Sequence, residues 1–211
     1  MKRYFFLIAA CLIAAGCSRE LPIGEHNNFH CYGIRQATLH FEYFGETRGT
    51  QDISFDRFGE REAIHIHYDQ MTEKGFIPTV RYTVREAGRI TIVDSVRYEE
   101  QRLIDPNLDS LYRLQTTDLP TAEDQFRHVF SRLGYSTIGD TTIVGLHAHI
   151  WQFHKQQSFV YESAGILVGK IDSYLGHTNE LRLVSIDTVH VDTTAFRIPH
   201  GFQVLDLTKN R

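Results

Sequence analysis

A two-residue alternation of apolar and polar side chains runs through most of this chain, and it is clearest between Gly49 and Tyr68. Ile53 and Phe55 fall on one side of the extended chain and the residues beside them are polar, which is the pattern of a half-buried β-strand. The alternation resumes at Ile64, after Asp56–Gly59, where Asp in the first position and Gly in the fourth favour a type I turn. The stretch therefore predicts an antiparallel hairpin.

The same alternation recurs often enough to predict about ten strands. The segment Arg97–Ile104 is ambiguous, and Asp105-Pro106-Asn107 breaks it. Besides the hairpin, the predicted strands are Ile34–Phe44, Phe76–Arg85, Ile90–Val93, Ser136–Val144, Leu146–His154, Ser158–Glu162, Ile166–Tyr174, Glu180–Val191 and Phe202–Leu207.

One helix is predicted, over residues 121–133. Thr121 and Asp124 have the spacing of a box-like amino-terminal cap. Phe126 and Phe130 recur at helical spacing, so one apolar side of the helix is predicted to face the sheet.

These elements limit the architecture, because one helix cannot cover so many strands. A flat sheet of about ten strands would be some 45 Å wide, whereas the helix is about 20 Å long and roughly 10–12 Å across. The sheet must curl around the helix or close on itself, and a curled sheet with little filling leaves a concave apolar pocket. We therefore predict a mainly β (α+β) fold, with a single strongly curved antiparallel sheet, a half-barrel, wrapped on one main helix.

The amino terminus has a basic start, an apolar core from Tyr4 to Ala15 and small residues before Cys17. This core is shorter than the roughly 20 residues that span a bilayer, so it indicates a secretory signal. Its ending, Ala14-Ala15-Gly16-Cys17, resembles the lipobox of bacterial lipoproteins, in which the cysteine is acylated and the signal is cut before it. The alternative is an ordinary signal peptide with an incidental cysteine. The predicted organisation is a signal at 1–16, a lipid-anchored tether at 17–33 and one domain at 34–207.

Charge and cysteine content restrict the partners and the redox state. The chain has 22 Lys and Arg against 26 Asp and Glu, and the predicted signal removes two basic residues and no acidic one. The negative charge argues against a nucleic-acid partner. Cys11 would leave with the signal and Cys17 would carry the lipid, so Cys31 is predicted to be a thiol without an internal disulfide.

Three short motifs carry a resemblance to a known family. They are the run from Gly49 to Ala63, the segment from Leu133 to Gly139, and Phe196-x-Ile198-Pro199-x-Gly201-Phe202. Together they resemble an uncharacterised family of bacterial envelope lipoproteins of half-barrel type, over residues 34–207. The arrangement is more distantly similar to the LolA and LolB lipoprotein carriers, which wrap a curved antiparallel sheet around a cavity and hold acyl chains. The resemblance implies a half-barrel fold and binding of a lipid.

Histidines suggest an alternative function in metal binding. His65 and His67 share one face of a predicted strand, as do His147 and His149, so each pair offers two imidazoles to one ion such as zinc. The plainer interpretation is that these histidines lie on solvated strand faces. The pattern alone does not bring the two pairs together.

Catalytic motifs are missing from the sequence. It contains no nucleophile elbow, no HExxH, no phosphate-binding glycine loop and no Asp-rich calcium loop. We therefore expect a non-catalytic protein that needs no cofactor.

Aromatic residues are the candidates for ligand binding. Their alternative role is ordinary core packing, since a small core and a small pocket give the same pattern. We predict an envelope lipoprotein, held to the outer membrane by its lipid with the domain on the periplasmic or the outer face. It would bind a lipid or hydrophobic group, or alternatively another envelope protein. The candidate ligand-binding residues are Phe41, Tyr43, Phe126, Phe130, Trp151 and Phe153.

Overall fold

The structure of this protein is a computed structural model that describes residues 31–72, 75–86, 88–104, 121–154, 157–174 and 176–208. The predicted signal, Cys17 and most of the predicted tether lie outside those residues. Within the described part of the chain the structure is mainly β, with one α-helix.

The strands form where alternation predicts them, with twelve in the described residues against the expected ten or so. The ambiguous segment Arg97–Ile104 contributes one of them. The helix α1 is Ala122–Arg132, and Thr121 caps it by accepting a hydrogen bond from the backbone N–H of Asp124, as predicted. The strands are β1 (Ala37–Phe44), β2 (Thr47–Asp56), β3 (Arg61–Thr72), β4 (Gly75–Glu86), β5 (Arg89–Asp94), β6 (Glu99–Ile104), β7 (Tyr135–Ile143), β8 (Leu146–Phe153), β9 (Gln157–Ser163), β10 (Ile166–Tyr174), β11 (His177–Asp187) and β12 (Gln203–Asp206).

All twelve strands belong to one sheet, in the order β12-β6-β5-β4-β3-β2-β1-β11-β10-β9-β8-β7. Among the described residues the sheet does not close, and β7 and β12 are its edges, which fits a half-barrel. The prediction of a purely antiparallel sheet is wrong at one edge, because β12 pairs parallel with β6. The reason is that the chain after β11 crosses the back of the sheet before it pairs with β6, at the edge opposite β7.

The predicted hairpin is β2–β3, but its turn is not type I. Arg57 and Phe58 both have positive φ, 50° and 60°, whereas a type I turn needs negative values at its central residues. Contacts with the segment before β1 hold this loop. The Phe58 carbonyl accepts from the backbone N–H groups of Cys31 and Tyr32 at 2.9 and 3.0 Å, and the Phe58 N–H donates to the Arg35 carbonyl at 2.7 Å. These long-range bonds are invisible to a four-residue turn pattern.

The sheet has two covered faces. On β3, Ile64 belongs to the main core and its neighbour Ala63 belongs to a small core on the other side. Val84 and Phe196 complete the small core, so the segment before β12 covers the back of the sheet. We call the face that carries Ile64 the helix-side face, because α1 packs there. Its fully buried residues include Ala37, Leu39, Phe41, Phe55, Phe130, Trp151, Val160, Val168 and Leu183.

Residues 31–33, which the sequence analysis assigns to the tether, contact the folded domain. Tyr32 is buried, with its ring centroid 4.4 Å from that of Phe55. Cys31 is disulfide-bonded, so the prediction that it is a thiol without an internal disulfide does not hold in this structure.

Candidate ligand-binding face

Four of the six predicted ligand-binding aromatics meet beneath α1. Phe126 and Phe130 are stacked with ring centroids 4.0 Å apart, and Phe130 lies 6.0 Å from Trp151. Tyr135, which was not predicted as a site residue, joins Phe130 at 4.8 Å and Phe153 at 5.1 Å. We call these five residues the aromatic cluster. The helical spacing of the two α1 phenylalanines places both rings over β7 and β8.

The aromatic cluster is largely filled by its own rings. Phe130 and Trp151 are only 1% and 2% exposed, while Phe126 and Phe153 are half-buried. A fully buried ring has no free surface for a ligand. The centre of the cluster is therefore packed core, and only its rim offers surface.

The other two predicted residues lie two positions apart on β1, so they share one face of that strand, away from α1. Phe41 is 0% exposed, in the main core. Tyr43 is half-buried, with its ring 6.1 Å from that of Tyr68, and its hydroxyl donates to the side-chain oxygen of Gln51 at 2.6 Å. Burial, then the nearby Tyr68, raise the pKa of Tyr43, although the charge of Arg81 opposes the rise. The hydroxyl therefore stays protonated and acts as a donor.

A row of directly paired residues crosses the helix-side face next to Tyr43. Phe41 pairs with Gln51, Gln51 with Ile66, Ile66 with Arg81, and Arg81 with Asp94. We call these five residues the Gln51 row. Exposure increases from 0% at Phe41 and 3% at Gln51 to a half-buried Ile66 and an Arg81 side chain that is 31% exposed, and it falls again to 14% at the Asp94 side chain.

Two donors of the Gln51 row lack acceptors. The Gln51 side-chain nitrogen Nε2 and the Arg81 Nε are buried without a hydrogen-bond partner among the described residues. The far end of Arg81 is engaged, since its Nη2 donates to Asp94 at 3.1 Å. A buried donor without an acceptor costs about 1–3 kcal/mol, so such groups are uncommon in folded proteins.

A buried ion pair lies on the same face, next to the amino-terminal segment. Glu62 and Arg85 are each 1% exposed, with Glu62 Oε1 3.0 Å from Arg85 Nη1. The Tyr32 hydroxyl donates to the other Glu62 oxygen. Burial and the Glu62 charge raise the pKa of Tyr32 well above its usual value. This network joins the segment before β1 to β3 and β4.

A second polar network holds the start of α1 to the sheet. His149 Nδ1 lies 2.6 Å from Asp140, and His149 Nε2 lies 3.2 Å from Glu123 of α1. Burial lowers the pKa of His149, but the Asp140 hydrogen bond and the charges of Glu162, Glu123 and Asp140 outweigh it, so this pKa is raised. Glu162 is fully buried, and burial raises its pKa. With a carboxylate at each ring nitrogen, the protonated imidazole links α1 to β7 and β8.

The two histidine pairs do not come together. His65 Nε2 lies 2.7 Å from the Ala195 carbonyl on the back of β3, whereas His149 faces α1 from β8, six strands away in the sheet. His147 and His149 have their rings 5.2 Å apart. Within the described ranges, no three His, Cys, Asp or Glu side chains are placed to hold a metal ion. A zinc site shared by the two pairs is therefore inconsistent with the described structure.

Sequence reasoning did not select Gln51, Arg81 or Tyr135. Gln51 could have been found from the sequence, because it alternates with Ile53 and Phe55 and is thus a polar residue on the apolar side of a predicted strand. Arg81 had no such signal, since its neighbours in phase are polar.

Comparisons with known proteins find similar folds among solved structures only. No family model and no curated protein matches the chain. An uncharacterised conserved protein from Thermus thermophilus superposes with a TM-score of 0.49 at 8% identity, covering 82% of this chain and 90% of that one. The Pseudomonas aeruginosa MucA/MucB complex gives 0.44 at 14% identity, over 81% of this chain and 58% of the other. LprF from Mycobacterium bovis gives 0.36 at 9% identity, over 81% and 92%.

No helix in the described part of the chain combines the length and the apolar character that crossing a bilayer requires.

Proposed function

We propose that this protein is a non-catalytic lipoprotein of the bacterial envelope that binds an apolar ligand on the helix-side face, over β2–β5. The ligand would contact Ile66 and Ile92, and Tyr43 on the adjacent β1, all of which are half-buried on this face.

The observation that supports the proposal is the mismatch between the sheet and its helix. Twelve strands span about 53 Å at ~4.8 Å per strand, while the eleven residues of α1 extend about 17 Å. The helix packs over β7 and β8, at one end of the sheet. The β2–β5 part of the face therefore lies beyond the reach of α1 and retains apolar side chains with exposed surface.

The test is binding of a fluorescent fatty acid to the full chain. Ile66→Asp replaces apolar surface by a carboxylate beside Arg81 and should weaken binding at least tenfold, since an apolar ligand that covers a carboxylate must remove its water. Val184→Asp is the matched control, because Val184 is 43% exposed on β11 and should tolerate a charge. Absence of binding by the wild type, or equal loss in both variants, would contradict the proposal.

The membrane location is tested separately at Cys17. Its acyl chains would be the membrane contact, because two or more chains anchor stably whereas one holds only marginally. Cys17→Ser should move the protein from the membrane pellet to the soluble fraction. A mutant that still pellets after a carbonate wash would refute the lipobox interpretation.

A second candidate function, binding of an envelope protein, is favoured by the β7 edge. β7 has one strand neighbour, β8, in the described residues, and Ile138 on it is 52% exposed. An edge strand can pair with a strand of another chain. Replacing Thr142 by Pro would remove an N–H that points away from β8 and should abolish such pairing while leaving fatty-acid binding unchanged.

A further inference from the structure

We infer that the Gln51 row recognises the acyl oxygen of the ligand, so that this protein binds amphiphiles that carry a carbonyl or carboxylate group in preference to other amphiphiles of equal chain length. The inference rests on the proposed function, because it assigns a ligand class to the same face.

The first argument is the presence of two unsatisfied donors in one row. Gln51 is 3% exposed, and its Nε2 has no acceptor in the described part of the chain. Arg81 Nε, two strands away on the same face, is also buried without an acceptor among the described residues. Paired strands lie about 4.8 Å apart, so the two backbones are separated by about 10 Å and the long Arg81 side chain can approach Gln51 over Ile66.

The second argument concerns the polarity of the free groups. The Gln51 oxygen already accepts from Tyr43 at 2.6 Å, which leaves the amide with donors to offer. Asp94 accepts a hydrogen bond from one Arg81 nitrogen, Nη2, at 3.1 Å. This contact balances the charge of the guanidinium but leaves its Nε–H without an acceptor among the described residues. A buried donor without a partner needs an acceptor atom, and a carbonyl or carboxylate oxygen of a ligand is such an acceptor.

The third argument is the apolar surround. Ile66 lies between the two donors, and Tyr43 lies on β1 diagonally opposite Gln51. Burial of an acyl chain contributes about 0.8 kcal/mol of binding free energy per methylene. The apolar walls therefore supply affinity, and the two donors fix the position of the end that bears oxygen. A few convergent polar groups in an apolar wall are the usual composition of a small-molecule site.

The experiment compares three probes of equal chain length on the full chain: dodecanoate, methyl dodecanoate and dodecylamine. The first two carry the acyl oxygen and the third does not. Two new hydrogen bonds predict that dodecanoate and its ester bind about tenfold or more tightly than the amine. If only dodecanoate is preferred, the recognised group is the free carboxylate. If both are preferred, it is the acyl carbonyl.

Variants separate recognition from a structural role. Gln51→Leu and Arg81→Met should each reduce the preference to within about threefold, and Gln51→Leu, which changes no charge, should leave dodecylamine binding unchanged. Arg48→Met is the matched control, because Arg48 is exposed on β2 at a position of the opposite phase, and it should keep the full preference. A merely structural role would weaken all three probes equally in the variants.

The outcomes of this experiment distinguish the inference from the proposed function. Equal binding of the three probes by the wild type, or a preference that survives both variants, overturns acyl-oxygen recognition and leaves apolar binding in place. Failure of all three probes to bind overturns both.

Discussion

The aromatic cluster and the Gln51 row lie on the same face of one sheet and are built in opposite ways. In the cluster, rings from α1, β7 and β8 fill the space, and Phe130 has almost no exposed surface. In the row, a fully buried glutamine and a partly exposed arginine hold donors without acceptors among the described residues. The difference shows that apolar content alone does not indicate where the proposed ligand would bind. A better indication is a side chain that is buried while its hydrogen-bond donor lacks an acceptor.

The comparison predicts its largest effect in the aromatic cluster. Phe130→Ala should lower the free energy of unfolding by about 3–5 kcal/mol, because it removes a fully buried ring from a packed core. Leu133→Ala is the control, since Leu133 is 47% exposed and surface changes stay within about 0.5 kcal/mol. Urea unfolding of the full chain measures both. A loss below about 1 kcal/mol for Phe130→Ala would mean that its ring lines open space.

A smaller effect is expected at the edge of the cluster, where His149 links α1 to the sheet. Its raised pKa means that its stabilisation is complete below the unfolded value of about 6.5 and is lost as pH rises through the folded value. Glu162 acts in the same direction, because its pKa is also raised and its ionised form is disfavoured by burial. Stability should therefore fall from mildly acidic to mildly alkaline pH.

His149→Gln tests this dependence. At pH 5.5 it should cost up to about 1 kcal/mol, the range of a partly exposed ion pair, and the cost should shrink at pH 8.5. His147→Gln on the same strand is the control, because His147 is exposed. An equal cost of His149→Gln at both pH values would show that the link does not depend on protonation.

The smallest effect on stability is expected in the Gln51 row. Replacing Tyr43 by Phe and Gln51 by Leu together keeps the shapes and removes both polar partners, which is close to neutral when done in pairs. The double variant should therefore unfold within about 1 kcal/mol of the wild type. Thermal unfolding without ligand measures it. A large loss would assign Gln51 a structural role and remove the contrast between the two regions.

Alternation and capping, which are local properties, predicted most elements correctly. The strand phase of Leu39 and Phe41, and the cap at Thr121, are read from a few adjacent residues. Features that depend on distant partners were not predicted. The turn at Phe58 is set by hydrogen bonds from Cys31 and Tyr32, and the parallel β12 follows from a crossing of the back of the sheet.

The candidate site shows the same limit. The sequence identified the aromatic residues but did not separate filled core from ligand wall, because both use the same periodicity. It could not place Arg81 in the same row as Gln51, since the register of two strand pairs, β2–β3 and β3–β4, sets that alignment. Alternation on β4 assigns Val84 and Arg85 to opposite faces, and the structure buries both. A two-residue period cannot predict that two faces are covered.

The central claim, that the β2–β5 part of the helix-side face binds an apolar ligand, is tested most directly by native mass spectrometry of the full chain purified from the bacterial envelope. We expect a bound species with the mass of an acyl amphiphile, which is retained in the Val184→Asp variant and absent from Ile66→Asp. Wild-type protein that carries no such species, and takes up none when incubated with dodecanoate, would contradict the claim.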